Sequence, residues 1–171
     1  MELEGAAETR LEPSIIFIDV HVNDVVFANN VALGGHVSVG DYAVFGGNAV
    51  VRQHLRVGES AMIAGVSGVR ADVIPFGCAQ GPLANLVGLN VVGLRRRGVA
   101  REDIRRLRQA YQALFFGAGT FRDRVERVAA EFADNALVSR VIAFIRTGGT
   151  RPLSMAATDR HGGGDAAADE P

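Results

Sequence analysis

The sequence VALGGHVSVGDYAVFGG, residues 31–47, repeats every six residues. In each repeat a large apolar residue is followed directly by glycine, as at Leu33 and Phe45. A period of six matches neither an α-helix, with 3.6 residues per turn, nor an isolated strand, with a period of two. The apolar position recurs without a break from Phe27 to Val69 before Pro75 interrupts it. The pattern is therefore a genuine internal repeat.

The period predicts short strands joined by tight corners. The first and third positions of each hexad are apolar, an alternation that gives a strand one buried face. Glycine at the fourth position marks a corner, where a side chain would clash or φ must be unusual. Strands and corners at a fixed interval coil into a parallel β-helix, in which the first and third positions stack into an apolar column. A meander of hairpins would place turns such as Asn-Gly at varied spacing and fits the pattern poorly.

Helical periodicity replaces the hexads in the C-terminal half of the chain. Ile104, Leu107 and Tyr111 recur at helical spacing with polar residues between them. Thr120 is placed to be the N-cap of a second amphipathic helix, with Asp123 as its capping-box partner. A third helix is predicted over residues 136–146.

These patterns divide the chain into four parts. We predict an irregular N-terminal segment (1–24), a β-helix (25–81), a helical C-terminal domain (82–155) and a tail (156–171). The tail is predicted to be disordered, because it is acidic, rich in glycine and alanine and has little to bury.

Composition and charge narrow the function classes. The formal net charge is −1, all 18 basic residues are arginines, and seven of them lie in residues 95–108. Nucleic-acid binding is not predicted, because the neighbouring aromatic residues Tyr111 and Phe115 belong to an apolar helix stripe rather than to a stacking surface. No apolar run approaches the ~20 residues of a membrane span, so no stable membrane insertion is expected. The single Cys78 suits a reducing compartment, and we expect a cytoplasmic protein.

Three segments resemble one enzyme family. They are FANNVALGGHVSVGDYAVFGGNAVVRQ (27–53), SGVRADVIPFGCAQG (67–81) and GLNVVGLRRRG (88–98). All three are similar to the UDP-N-acetylglucosamine acyltransferases, which begin lipid A synthesis in bacteria that have a lipopolysaccharide outer membrane. The resemblance covers about residues 25–150 and includes the basic segment that follows the repeats.

The resemblance implies a left-handed β-helix with three hexads in each coil and a homotrimer with its sites in the clefts between subunits. The implied reaction moves a 3-hydroxyacyl chain from acyl carrier protein to the 3-hydroxyl of UDP-N-acetylglucosamine, without a cofactor or a metal. A histidine acts as general base in that reaction, a role that suits imidazole near neutral pH. Backbone amides would stabilise the oxyanion.

The family's binding residues match five positions of this chain. His36 and Gln53 match residues that line the cleft near the sugar and the acyl chain. Asn90, Arg96 and Arg97 match positions near the nucleotide. Arginine suits a diphosphate because its planar guanidinium can donate two hydrogen bonds at once.

The chain also departs from the family pattern. Family members extend considerably further at the N-terminus, and the position of the catalytic histidine holds Phe17, with His21 as the nearest histidine. Arg52 stands where a second cleft histidine is expected, and Val92 where an acidic residue is expected. Two hypotheses therefore remain. The chain is either an acyltransferase, for which we predict very little activity, or a catalytically inactive truncated paralogue or remnant that acts as a trimeric binding or scaffold module.

Overall fold

The computed structural model describes residues 23–148 and 151–156. Within these residues, short strands come first and helices follow. The strands are β1 (Val26–Phe27), β2 (Ala32–Leu33), β3 (Ser38–Val39), β4 (Val44–Phe45), β5 (Val50–Val51), β6 (Arg56–Val57), β7 (Met62–Ile63), β8 (Gly68–Val69), β9 (Gly77–Gln80) and β10 (Asn85–Leu89). The helices are α1 (Val91–Arg96), α2 (Arg101–Phe116), α3 (Phe121–Glu131) and α4 (Ala136–Thr147).

The strands form a parallel β-helix with three faces. Val26 pairs with Val44 and Val44 with Met62, so one coil takes three hexads. The first face contains β1, β4, β7 and β9, the second contains β2, β5 and β8, and the third contains β3 and β6. From β1 to β8, each strand residue therefore lies directly above the residue three hexads further along the chain, as the repeat pattern predicts.

The predicted apolar column fills the inside of the coils. The third-position residues Phe45, Val51 and Ile63 are at most 1% exposed, and Ala43 and Ala61 at the first position are fully buried. At the start of the column, Phe27 stacks on Phe45 with ring centroids 4.9 Å apart and keeps 43% of its surface exposed. The burial pattern confirms that the first and third positions form the core.

Two different backbone features form the corners, a close approach between coils and a left-handed φ. The sequence did not reveal where the second one occurs. A Cβ on Gly34 would lie 2.7 Å from the Gln53 Cα, so glycine is needed because the next coil passes too close. The unusual φ angles occur two residues later, at the sixth position, where residues such as Asn30, His36 and Tyr42 have φ near +60°. That left-handed conformation is uncommon for residues other than glycine. Of the two explanations offered for the fourth-position glycine, close approach is the correct one.

The last coil is two residues shorter than the others. Val57 bridges to Val73 and Met62 pairs with Cys78, and both separations fall two positions short of three hexads. The omission lies between Val69 and Val73, so Pro75 does not occupy a third position, contrary to the hexad reading of the sequence. Val73 takes that position and is fully buried.

Residues 85–89, which the sequence pattern assigns to the helical domain, form a β-strand instead. β10 pairs antiparallel with β9, with a register shift between Leu86 and Gly88. Leu86 points into the core and is 1% exposed, whereas Val87 is exposed. This alternation over a short apolar run is that of a strand with one buried face. The helical part begins at Val91.

The helices form a small bundle beyond the coil. α2 contacts both α3 and α4, and its buried stripe includes Ile104, Leu107 and Leu114. Thr120 accepts a hydrogen bond from the backbone N–H of Asp123, and the Asp123 carboxylate accepts one from the N–H of Thr120. The capping box predicted from the sequence is thereby confirmed. No helix in the described residues has the length and apolar character needed to cross a bilayer.

An ion pair and two isolated bridges of the C-terminal segment attach the helical part to the coil. Arg56 donates from Nε to the Asp72 carboxylate at 2.7 Å and from a terminal nitrogen to the Phe144 carbonyl of α4 at 3.0 Å. Asp72 bridges to Leu153, and Ala156 bridges to Leu86. Ala156 falls in the predicted tail but is held by this bridge. The rest of that tail (157–171) and residues 1–22 of the predicted N-terminal segment lie outside the described residues.

Candidate functional site

The five binding residues predicted from the sequence lie in two places. His36 and Gln53 lie at the second corner, which follows the second face and comprises residues 34–36, 52–54 and 70. Asn90 and Arg97 lie at the third corner, which follows the third face and comprises residues 40–42 and 58–60. Arg96 lies on the exposed side of α1. Within one chain the structure does not gather the five residues into one cluster.

Stacking of successive coils builds the second corner. The imidazole rings of His36 and His54 lie 4.9 Å apart and are parallel to within 3°. Both residues have left-handed φ, 59° for His36 and 63° for His54, which turns both side chains outward at the same place in the coil. Gln53 lies beside them and is exposed. The coil thus presents two imidazoles and an amide on one edge.

Two arginines add charge to this corner. Arg52 and Arg70 follow the paired residues Val51 and Val69, and both arginines are exposed. From the sequence, Arg52 stands out only as a departure from the family, His54 is interpreted as a solvated side chain, and Arg70 is missed. The separation of three hexads, from 36 to 54 and again from 52 to 70, is the signal that could have grouped them.

Asn90 is held by the protein at both ends of its side-chain amide. Its Nδ2 donates to the Ser60 carbonyl at 2.9 Å, and its Oδ1 accepts from the backbone N–H of Gly93 at 2.9 Å. Asn90 is therefore the N-cap of α1 and fixes that helix against the third corner. A Cβ on Gly93 would lie 2.8 Å from the Asn90 carboxamide carbon, so glycine is required there.

Arg97 is also engaged within the protein. Its guanidinium stacks 3.7 Å from the ring centroid of Tyr42, pairs with Glu59 at 3.2 Å and donates to the Ser60 hydroxyl. Glu59 in turn pairs with Arg140 of α4 at 2.9 Å. This network positions α1 and α4 on the third corner and leaves only part of Arg97 available to a ligand.

The third corner also carries negative charge. Asp41 accepts hydrogen bonds from the backbone and side chain of Asn23, and these bonds lower the pKa of its carboxyl. Together with Glu59, Asp41 makes this corner more acidic than the second corner, which carries only basic and neutral residues.

Four other arginines of the basic segment form a separate surface on the helices. A groove of about 540 Å³ between α1 and α2 is lined by Arg95, Val99, Arg101, Ile104, Arg105 and Arg108. Arg105 pairs with Glu102 on the same helix, and that carboxylate raises the pKa of the guanidinium. Because its lining contains four arginines and no acidic residue, the groove is positively charged.

Phe17 and His21, the residues relevant to the general base, lie outside the described residues. Within residues 23–148 and 151–156, no three histidine, cysteine, aspartate or glutamate side chains come together as metal ligands would. The chemistry suggested by the described residues is therefore recognition by imidazole, amide and guanidinium groups.

Coils of three hexads, glycine corners and a helical C-terminal bundle define a hexapeptide-repeat β-helix protein. A family model described as UDP N-acetylglucosamine O-acyltransferase, domain 2, matches residues 72–153. The chain is 49% identical over 138 residues to an acyl-[acyl-carrier-protein]–UDP-N-acetylglucosamine O-acyltransferase of Caulobacter vibrioides, covering 80% of this chain and 52% of that protein. The chain belongs to the UDP-N-acetylglucosamine O-acyltransferase family.

Further comparisons agree. A protein of the same name from Methylobacterium radiotolerans is 54% identical over 88 residues, covering 52% of this chain and 32% of that protein. The solved Arabidopsis UDP-N-acetylglucosamine acyltransferase superposes with a TM-score of 0.74 at 33% identity, covering 80% of this chain and 50% of that one. The chain thus spans about half the length of such relatives. The structural neighbours are left-handed β-helix proteins, which confirms the fold class predicted from the sequence.

Proposed function

We propose that this chain serves the first step of lipid A synthesis, the transfer of a 3-hydroxyacyl group from acyl carrier protein to UDP-N-acetylglucosamine. The observation that carries the proposal is the 49% identity over 138 residues to a protein named for this transfer, a match long enough to span the coils and the helices. In the reaction the sugar 3-hydroxyl oxygen attacks the thioester carbonyl, a base takes the hydroxyl proton, and the carrier thiol leaves.

The second corner supplies the binding groups in this proposal. His36 and Gln53 are exposed on one edge of the coil, where they can donate and accept hydrogen bonds from a sugar. Arg96 is exposed on α1 and supplies a charged contact to the nucleotide diphosphate. Asn90 and Arg97 act mainly by placing α1, because the protein already engages their polar atoms.

A homotrimer would bring these separate groups into one cleft. Two faces of the coil carry outward apolar side chains, Val26 and Met62 on the first face and Val50 on the second, each at least 40% exposed. The third face is crossed by the C-terminal segment and α4. A cyclic trimer needs two different complementary surfaces on each copy. The two apolar faces meet that need, and exposed apolar patches commonly mark such interfaces.

The basic groove between α1 and α2 is the surface proposed for the acyl carrier protein. Carrier proteins of this kind present acidic surfaces, and complementary charge steers such encounters. Because the proposed substrates are a nucleotide sugar and an acyl carrier protein, we place the reaction in the cytoplasm.

A second candidate is a trimeric binding module that does not turn over substrate. In its favour, the resemblance matches Phe17 to the position of the family's general base and Arg52 to that of a cleft histidine. Without a base the hydroxyl attack is slow, because general base catalysis contributes typically about 10²–10⁴-fold.

Incubation of the purified chain with UDP-N-acetylglucosamine and 3-hydroxyacyl carrier protein distinguishes the two, with acylated sugar nucleotide measured by mass spectrometry. We expect slow product formation that the double variant His36→Asn/Gln53→Ala abolishes. The matched control is Arg122→Gln, an exposed residue on α3, and it should leave the rate unchanged. Binding of UDP-N-acetylglucosamine without product would support the second candidate, and absence of both binding and product would contradict both.

A further inference from the structure

One edge of the β-helix carries an uncompensated positive surface. We call His36, Arg52, His54 and Arg70 of the second corner the basic edge. The corner contains no acidic residue, whereas the third corner carries Asp41 and Glu59. The nearest acid along the chain, Asp72, is 1% exposed and bonded to Arg56, so it cannot neutralise this edge.

The four groups form two stacked pairs, His36 with His54 and Arg52 with Arg70, which together span three coils. The imidazole rings of His36 and His54 stack with centroids 4.9 Å apart. Arg52 donates its backbone N–H to the Val69 carbonyl at 3.0 Å, so Arg52 lies one coil from Arg70. Within the described residues, neither the Arg52 nor the Arg70 guanidinium has a hydrogen-bond or ion-pair partner. Like charges on neighbouring strands destabilise a sheet. An external anion bound between Arg52 and Arg70 would remove that repulsion.

The shortened coil lies directly below Arg52 at this corner. Arg52 occupies the fourth hexad position, where Gly34 is required because a Cβ would lie 2.7 Å from the Gln53 Cα in the coil below. The coil below Arg52 omits two residues between Val69 and Val73. The corner below Arg52 is therefore shorter than the corner below Gly34, and position 52 holds a large basic residue.

We propose that the basic edge binds the phosphate group of a small organic phosphate. A guanidinium donates two parallel hydrogen bonds to phosphate oxygens, and the histidines of the basic edge add further donors. Because neighbouring coils lie about 5 Å apart, the members of each pair can reach one or two phosphate groups rather than a long polyanion. The role of this phosphate in acyl transfer rests on the proposed function, but the binding itself does not.

Calorimetric titration with inorganic pyrophosphate tests the proposal directly. Loss of one charge-assisted contact in Arg52→Gln or Arg70→Gln should weaken pyrophosphate binding about tenfold or more. Arg122→Gln removes one exposed positive charge from α3 and is the matched control, with an expected change below about twofold. Thermal unfolding of each variant checks that the fold is retained. Equal affinities in wild type, Arg52→Gln and Arg70→Gln would overturn the proposal, as would an equal loss in the control.

Competition identifies the source of the phosphate. UDP and 4′-phosphopantetheine are each tested for displacement of bound pyrophosphate. Displacement by UDP assigns the edge to the nucleotide, and displacement by 4′-phosphopantetheine assigns it to the prosthetic group of the carrier. Failure of both to displace pyrophosphate would overturn the assignment to an organic phosphate. These outcomes are separate from the acyl-transfer assay, because pyrophosphate binding requires no turnover.

Discussion

Gly34 shows how a single residue type sets the distance between coils. Its missing side chain lets Gln53 of the next coil pass at a separation that no Cβ could tolerate, and Gly40 and Gly46 do the same for Glu59 and Gly65. The same corners rely on left-handed φ at the sixth position, where His36 and His54 are found. The hexad pattern predicts the glycines, but it does not show which of the two devices acts at which position.

Gly34→Ala should therefore be much more destabilising than Gly35→Ala. The added methyl group at 34 collides with backbone that cannot move without shifting a coil, and we expect a loss of about 2 kcal/mol or more in the free energy of unfolding. A Cβ at 35 meets no described atom within 4 Å. Urea denaturation of both variants measures the difference. Equal midpoints would contradict the close approach seen at Gly34.

Cys78 gives a prediction about reactivity. Burial raises the pKa of its thiol above the ordinary value for cysteine. Since the thiolate is the reactive form, alkylation of the native protein at mildly alkaline pH should be slower than that of free cysteine. The pH at which the alkylation rate reaches half its maximum should also be higher for Cys78 than for free cysteine. Unfolding in urea should abolish the difference. An alkylation midpoint at or below that of free cysteine would contradict the burial of this thiol.

At the scale of elements, the Arg56–Asp72 pair joins the coil to the helices. Asp72 accepts from both the backbone N–H and the Nε of Arg56, and Arg56 continues to Phe144 of α4, whose ring lies 4.1 Å from the guanidinium carbon. The pair lies next to the shortened coil. It therefore fixes the C-terminal segment where the regular repeat ends.

Asp72→Ala should destabilise the protein by about 3 kcal/mol, because it removes two hydrogen bonds and leaves a largely buried guanidinium unpaired. Glu126→Ala is the control. Glu126 pairs with Arg146 at an exposed site, and its loss should cost less than about 1 kcal/mol. Thermal and urea unfolding provide the comparison. Similar losses for the two variants would show that the Arg56–Asp72 pair has no special structural role.

Some elements follow from the sequence and others do not. The helices α2 to α4 follow from the helical spacing of residues such as Ile104 and Leu107, and the α3 start follows from Thr120 and Asp123. β10 was missed because a short apolar run such as 85–89 has too few residues for its period to be read. The shortened coil was missed because Pro75 seemed to end the repeat, whereas the apolar column continues through Val73.

At the scale of the whole molecule, the proposed trimer is what would bring the predicted binding residues together. His36 and Gln53 lie on one corner of the coil, and Arg96 lies on a helix fixed to another corner by Asn90. The family resemblance predicted each of these residues separately and did not show how they lie relative to one another. A single sequence carries no information on which copy would provide each group to the proposed cleft, so the assignment of groups to copies belongs to the proposal.

Charge substitutions on the apolar faces test the assembly. Met62→Glu on the first face and Val50→Glu on the second should each convert a trimer to monomers, because a buried unpaired carboxylate opposes association. Phe116→Glu alters a residue of similar exposure at the end of α2 and is the control. Light scattering after size-exclusion chromatography gives the mass. A wild-type monomer, or trimers in all three variants, would contradict the assignment of these faces to the interface.

The most direct test of the central claim is a crystal structure of the chain with UDP-N-acetylglucosamine bound. We expect left-handed coils of three hexads, with the sugar against His36 and Gln53 and the nucleotide approached by Arg96 of a neighbouring copy. A ligand bound away from the second corner, or antiparallel hairpins in place of coils through His36 and Gln53, would contradict both the fold and the role given to this edge.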